Sequence, residues 1–417
     1  MSGTRLDETW LPRRALVVGL ARSGRAAALA LARRGVEVLA ADASPDADPG
    51  RLAEAGVEIR LGTEEESLLQ GVELVIKSPG VPGSSPLAAG ARTRGVPVWS
   101  EVELGYRLLP GNPLVGVTGT NGKTTTTELL GAILRAAGRR VEVAGNVGRA
   151  LTDVAEEVEP GTSIVCELSS FQLEDVQTLA CDVAVLLNLE PDHLDRHGTF
   201  EAYRDAKLRI FERAHAKVVP RGSGLDGIEF AGDDPLPAEP LIPGAHNREN
   251  AAAATAAARA VGVDDAAIAQ ALRTFTGVPH RLELVRELHG VRYVNDSKAT
   301  NTAAARRGVA AYDAPIRLIL GGSLKGEDFA PFASGLPPTV RSIYLVGEAS
   351  DELAAALDAA GRAYVRAGDL AHAVTHAHAD AESGDVVLLS PACASFDQFD
   401  NFEQRGDVFR RLVQELA

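Results

Sequence analysis

The residues best suited to chemistry lie in the run Gly116-Val-Thr-Gly-Thr-Asn-Gly-Lys-Thr124. The apolar stretch Leu114–Val117 reads as a strand, the glycines as a turn, and Thr124 to Ala137 as a helix. Backbone N–H groups in such a turn, together with the helix N-terminus, cradle phosphate oxygens. Lys123 adds a point charge, and the Thr124 hydroxyl is a ligand of the kind Mg²⁺ takes beside a phosphate. The longer phosphate-loop pattern requires glycine at 117, where valine stands, so this is the short form Gly119-Thr120-Asn121-Gly122-Lys123-Thr124-Thr125. A Gly-Lys-Thr turn without a nucleotide is the alternative, and the flanking strand and helix argue against it.

Acids and a histidine follow. Glu167 closes the strand candidate Ser163–Glu167 within Glu-Leu-Ser-Ser-Phe-Gln-Leu-Glu174, and His193 lies just past Val183–Leu189 in Glu190-Pro-Asp-His-Leu-Asp195. Open α/β sheets bind ligands at the carboxyl ends of their strands. A carboxylate and an imidazole there suit a divalent ion beside phosphates. Singly each reads as an ordinary loop residue; after a phosphate loop, both read as site residues. Nearer the N-terminus, Gly19-Leu-Ala-Arg22-Ser23-Gly24 resembles a dinucleotide fingerprint with Ala21 in place of its middle glycine, and Asp42 ends the next strand. A non-standard nucleotide site and a tight strand–helix turn without ligand both fit. His372, His376 and His378 have metal-compatible spacing, but an exposed helix is expected. Ser395 has no G-x-S-x-G surround, and Cys393 reads as a packed thiol.

These residues need a scaffold. Ala15–Leu20, Val36–Ala41, Glu73–Lys77 and Val96–Trp99 read as strands around the alanine-rich helix Ser23–Arg34. Pro110-Gly-Asn-Pro113 punctuates the chain, and a second α/β set follows. His246-Asn-Arg-Glu-Asn250 is expected to cap the alanine helix Ala251–Ala260. After Thr276-Gly-Val-Pro279, a third set holds Val291–Asn295, Ile316–Leu320, Ile343–Val346 and Val386–Leu389. Strand–helix alternation predicts an α/β protein of three domains. These are an N-terminal Rossmann-like parallel sheet (1–101), a central P-loop ATPase-like domain (102–277) and a C-terminal Rossmann-like α/β domain (278–417). With 417 residues and 45% hydrophobic content the chain has material for three cores. A net charge of −15 makes nucleic acid a poor partner, and any polyanion must be met by local donors. Three widely spaced cysteines, no apolar leader segment and no run long enough to span a bilayer predict a reducing cytoplasm and no membrane insertion.

In order along the chain stand Gly-Thr-Asn-Gly-Lys-Thr-Thr, Gly145-Asn146-Val-Gly148, Glu-Leu-Ser-Ser-Phe-Gln-Leu, Asp-His-Leu-Asp, His246-Asn247-Arg-Glu-Asn250, His280-Arg281 and Asn295-Asp-Ser-Lys-Ala-Thr-Asn301. This series resembles the Mur ligases of bacterial cell-wall synthesis. Asn-Asp-Ser-Lys-Ala-Thr-Asn, Gly321-Gly-Ser-Leu-Lys325 and Leu389-Ser-Pro-Ala-Cys-Ala-Ser395 are similar to the branch that adds D-glutamate to UDP-N-acetylmuramoyl-L-alanine. The resemblance implies an ATP-dependent ligase working through an acyl phosphate. It places the UDP-sugar at Arg22, Ser23, Asp42, Ser78 and Gly80, with Asn146 and His193 also in contact. It places ATP at Gly119 through Thr125 with Asn250, Arg281 and Asp296, and D-glutamate at Thr300, Lys325, Ser395, Phe396 and Phe402. Catalysis falls to Lys123, Lys207 and His193. Two Mg²⁺ ions are implied, held by Thr124, Glu167, His193 and a carbamylated Lys207, in a monomer.

Two features depart from the resemblance. The segment from Lys207 to His246 is short, and phenylalanine stands at 396 where leucine is usual. Competing readings are a sister ligase for another amino acid, a folylpolyglutamate synthase, a nucleotide-dependent switch and a UDP-sugar oxidoreductase. The Asp296-Ser-Lys-Ala-Thr signature argues against the first two.

Overall fold

A computed structural model describes residues 10–324 and 326–417. The chain forms two compact units: residues up to Glu239 with Arg248–Arg273, and Pro240–Asn247 with Thr274–Ala417. Three α/β domains are present, each built on its own sheet, and the first unit holds two of the sheets.

The first sheet contains β1 (Arg14–Val18), β2 (Glu37–Asp42), β3 (Glu58–Leu61), β4 (Leu74–Lys77) and β5 (Val98–Ser100). All its pairings are parallel, in the order β3-β2-β1-β4-β5. Residues 15–18 of β1 and the whole of β4 are buried. Such short continuous apolar runs have both faces covered. One face packs Val17, Leu31, Ile76 and Trp99; the other packs Leu16, Val75 and Leu87. The helix Arg22–Arg33 lies so close to the turn before it that a Cβ at Gly24 would stand 1.8 Å from the Gly19 carbonyl oxygen. Chain order reverses between β1 and β4, which opens a crevice at their carboxyl ends.

The second sheet contains β6 (Leu114–Thr118), β7 (Val141–Gly145), β8 (Ser163–Glu167), β9 (Val183–Leu186), β10 (Ala216–Pro220) and β11 (Ile228–Phe230), in the order β11-β10-β9-β6-β8-β7. It too is parallel. The fully buried β6 sits between β9 and β8, so its loop emerges beside the ends of both neighbours.

Within this unit the helix Glu101–Leu108 presses on the helix Leu151–Glu157; a Cβ at Gly105 would meet the Leu151 and Thr152 backbone at 2.8 Å. Glu101 is fully buried there. Its Oε1 accepts from the Thr152 N–H (2.7 Å) and hydroxyl (2.8 Å), and its Oε2 has no hydrogen-bond partner among the described residues. Burial pushes its carboxyl up to about 7 from 4.5, against the Thr152 hydrogen bonds. The folded chain therefore keeps a proton that the unfolded chain releases between those values, and this contribution to stability is lost as pH rises through the window. Glu101→Gln removes the titration. Its denaturation midpoint relative to the parent should climb between pH 5 and 8, by an amount equivalent to at most about 3 kcal/mol. An offset independent of pH would contradict this account.

The second unit carries β12 (Glu283–Leu288), β13 (Val291–Asn295), β14 (Ile316–Gly321), β15 (Val340–Val346), β16 (Val365–Gly368) and β17 (Val386–Leu389), in the order β12-β13-β17-β14-β15-β16. β12 pairs antiparallel with β13, and the remaining pairs are parallel. Among the described residues no helix is long and apolar enough to cross a membrane.

Two differences from the sequence reading have physical reasons. His246–Asn250 does not cap the alanine helix; the helix runs Ala245–Ala260 and takes those residues in, which places the Asn250 side chain on a buried face. The strands not expected include β3, β12 and β16, whose residues are largely half-buried or exposed and so lack an apolar run.

Candidate functional site

The loop after β6 is shaped by two glycines with positive φ. Gly119 (φ 153°) would bring a Cβ to 2.9 Å from Leu187, and Gly122 (φ 82°) would bring one to 2.2 Å from Asn250 Oδ1. Asn250 thus closes on the turn at which the helix Lys123–Ala136 begins. Thr124 and Thr125 are buried in the first turn of that helix. Asn121 is held from β9's end: its N–H donates to Asn188 Oδ1 (2.8 Å) and its side-chain amide to Glu190 (3.0 Å).

Two lysines converge on one carbonyl. Lys123 Nζ donates to the Gly119 and Thr120 carbonyls at 2.9 Å each, and Lys207 Nζ donates to the Gly119 carbonyl at 2.7 Å. Lys207 lies at the end of the helix Phe200–Leu208 and is only 2% exposed. Burial, then the charge of Lys123, lowers its pKa from 10.5 to about 7, against the opposing pull of Asp192 and Glu167. The Tyr203 ring lies 4.7 Å from Lys207 Nζ, and its hydroxyl is 2.9 Å from Thr120 Oγ1.

Glu167, at the end of β8, is buried beside Asn146. The Asn146 N–H donates to the Glu167 carbonyl (2.9 Å) and its amide to Oε1 (3.0 Å), while Oε2 has no hydrogen-bond partner among the described residues. A buried anionic oxygen left without a donor is costly unless a cation meets it, so Glu167 fits the role of a metal ligand. His193 adopts φ 51° at the N-terminus of the turn Leu194–His197; its ring is half exposed and lies 4.9 Å from that of Phe171. Among the described residues no three His, Cys, Asp or Glu side chains cluster as a metal site.

In the first sheet, Asp42, Ser78 and Gly80 line a cleft of about 410 Å³ at the carboxyl ends of the strands. Asp42 accepts from the Leu20 N–H (2.7 Å) and the Ser44 N–H (2.9 Å), and Ser78 Oγ donates to the Gly19 carbonyl (2.7 Å). Arg22 and Ser23 open the neighbouring helix, where Arg22 hydrogen-bonds the Gly148 carbonyl of the central domain.

The second unit holds the other expected residues. Asp296 is buried, accepting from Ser390 Oγ (2.7 Å) and more weakly from the Leu282 N–H (3.3 Å); burial raises its carboxyl to about 7. Arg281, Thr300, Ser395, Phe396 and Phe402 lie in the segments around it, with Ser395 buried and Phe396 71% exposed. Lys325 lies outside the described residues. Arg405, which the sequence reading passed over, ties these segments together. It is 1% exposed and donates to Ser297 Oγ (2.9 Å) and to the carbonyls of Ser297 (2.8 Å), Ala394 (2.9 Å) and Cys393 (3.1 Å). Nothing local in Gln404-Arg-Gly406 marks it; only its distant partners do. His372 and His376 are exposed on the helix Leu370–Asp380, as expected, whereas His378 is half-buried and bonds the Tyr293 hydroxyl.

Residues 13–100 match the N-terminal domain of MurD-like Mur ligases, 117–222 the Mur ligase middle domain and 280–393 the glutamate ligase domain of Mur ligases. The chain belongs to the Mur ligase family. A UDP-N-acetylmuramoylalanine–D-glutamate ligase of Myxococcus xanthus is 41% identical over 96% of this chain and 98% of its own. One from Anaeromyxobacter dehalogenans is 42% identical over 97% and 98%. The fold is also that of a crystallised UDP-N-acetylmuramate–alanine ligase from Thermotoga maritima, with a TM-score of 0.57 at 19% identity over 96% of this chain and 99% of that one. As a Mur ligase the chain is an ATP-dependent ligase.

Proposed function

We propose that this Mur ligase joins the amine of D-glutamate to the alanyl carboxylate of UDP-N-acetylmuramoyl-L-alanine, releasing ADP and phosphate. Names borne by relatives about 41% identical along nearly the whole chain point to these substrates. The observation that supports the chemistry is the meeting of Lys123 and Lys207 at the Gly119 carbonyl, at the end of a strand that opens a phosphate-binding turn. A carboxylate is a poor acyl donor, so the γ-phosphoryl of ATP passes to it first. The amine then attacks the acyl carbon, the C–N bond forms and phosphate departs. Lys123 balances charge on the phosphoryl oxygens, and Gly119 to Thr125 with Asn250 hold the nucleotide in line. Arg281 and Asp296 are further proposed nucleotide contacts.

Bound Mg²⁺, two ions in this proposal, would supply further neutralisation of phosphate oxygens. Thr124 would hold one; Glu167, His193 and a carbamate on Lys207 would hold the other. A carbamate forms when a neutral amine adds to CO₂ and loses a proton. The burial of Lys207 beside Lys123 favours the neutral amine, and the lone Oε2 of Glu167 marks where a cation is wanted. The cleft at Asp42, Ser78 and Gly80, with Arg22, Ser23, Asn146 and His193, would take the UDP-sugar. Domain limits of 1–101, 102–277 and 278–417, a monomer and a cytoplasmic location complete the proposal.

Phosphate release from ATP should require both UDP-N-acetylmuramoyl-L-alanine and D-glutamate, and omission of either should return it to background. Acceptor-independent hydrolysis would favour a nucleotide switch instead. The proposed glutamate clamp is Lys325 with Thr300, Ser395, Phe396 and Phe402. A charge-assisted hydrogen bond to the side-chain carboxylate contributes roughly 1.5–3 kcal/mol. Lys325→Ala should therefore lower kcat/KM for D-glutamate by roughly ten- to a hundredfold. Unchanged D-glutamate kinetics would place the clamp elsewhere.

A further inference from the structure

We propose that Arg196 is a positioning residue for the UDP-sugar, holding the loop that lines its cleft. The proposal rests on the assignment of that cleft made above. Arg196 belongs to the central domain, three residues after His193. Its guanidinium reaches the first domain, donating to the carbonyls of Gly80 (3.2 Å) and Val81 (3.2 Å), with a longer contact to Pro79 (3.5 Å). Pro79, Gly80 and Val81 are consecutive lining residues of the 410 Å³ cleft. Within the loop the Val81 N–H donates to the Ser78 carbonyl (3.0 Å) and Ser78 Oγ to the Gly19 carbonyl (2.7 Å), while a Cβ at Gly80 would find nothing within 4 Å. Lys77, fully buried at the end of β4, adds one further bond to the Val81 carbonyl (3.3 Å) and pairs with Asp175 of the central domain (3.1 Å).

The same guanidinium lies 4.5 Å over the Phe171 ring. Phe171 stacks on His197 (5.2 Å, 7°) and packs against His193 (4.9 Å). His197 is in turn held by Ser170 Oγ (3.0 Å) and Glu174 (3.0 Å). One side chain therefore sets the carbonyls of the cleft loop and steadies the ring against which a proposed metal ligand rests. Arginine suits this double task, because its planar fork spans several acceptors while its face covers an aromatic ring; a lysine offers a single compact charge.

The test uses the full chain. Arg196→Ala should raise KM for the UDP-sugar at least tenfold, equivalent to 1.4 kcal/mol, with KM for ATP and D-glutamate within about threefold and the thermal midpoint nearly unchanged. Arg196→Lys, the gentler variant, should recover only part of the loss. Calorimetric titration with UDP should show the same weakening without turnover. An unchanged UDP-sugar KM overturns the proposal. So does a parallel loss for all three substrates with a lower midpoint, which is the mark of a bracket between domains and nothing more. The two readings separate cleanly. If the parent chain fails to ligate but binds UDP, and Arg196→Ala weakens that binding, the substrate assignment falls and the role of Arg196 stands. If the parent ligates and both variants bind UDP normally, the role of Arg196 alone falls.

Discussion

Lys123→Ala should lose roughly 10²–10³-fold or more in turnover, the loss seen when one preorganised donor to a developing negative charge is removed, while keeping its fold. Two features set this expectation. Lys123 follows the glycine turn directly, and it sits where its Nζ already bonds the Gly119 and Thr120 carbonyls of that turn. Both of those bonds lie within the turn and the helix that follows it. Circular dichroism and a thermal melt would register an intact fold, and single-turnover phosphate release would register the loss. A folded Lys123→Ala protein with parental rates would remove the nucleotide assignment from this loop.

Removal of Lys207 should be nearly as damaging, for a different reason. An ammonium at this position would repel a metal ion, whereas a carbamate offers the oxygen ligands Mg²⁺ prefers. Lys207→Ala should therefore lose most activity, and short carboxylic acids at millimolar concentration should restore part of it by placing a carboxylate in the space left. Formate or acetate rescue is the informative reading, because an alanine that merely loosened the helix Phe200–Leu208 would gain nothing from either. Full activity of Lys207→Ala in bicarbonate-free buffer, or an ¹³C-bicarbonate spectrum of the parent with no carbamate signal, would exclude the modification. Lys207→Arg should be inactive and beyond rescue, since it keeps the positive charge and fills the space.

How far the site was legible can be judged residue by residue. The glycine turn at Gly119–Gly122 was readable because its parts are contiguous: strand, glycines, lysine and helix follow one another, and local conformation alone brings them together. Glu167 was readable as a strand-end residue, but its importance was not. That comes from an oxygen left without a donor, which depends on what Asn146 satisfies and what it leaves open. The expected cap at His246–Asn250 failed because a helix extends wherever packing covers it, and the Asn250 side chain is buried against the turn at Gly122.

Composition and order of motifs by themselves determined the α/β class, the three sheets, the glycine turn after β6 and the family. Each follows from period, glycine placement or contiguous pattern, and these are properties of neighbours along the chain. Which side chains meet was decided by the tertiary structure alone. Lys207 reaches Gly119 across 88 positions because the order β9-β6-β8 places the glycine turn after β6 amid the strand ends. Arg405 gathers Ser297 and Cys393 from segments about a hundred residues away and twelve residues away. Arg196 meets Pro79–Val81 from another domain. In local sequence Arg405 and Arg196 are unremarkable among the 42 lysines and arginines, and Lys207 stands out only through the family resemblance. What distinguishes them is contact with carbonyls brought from other segments, and that is fixed only when parallel strands, each joined to the next by a long crossover, settle into their final order.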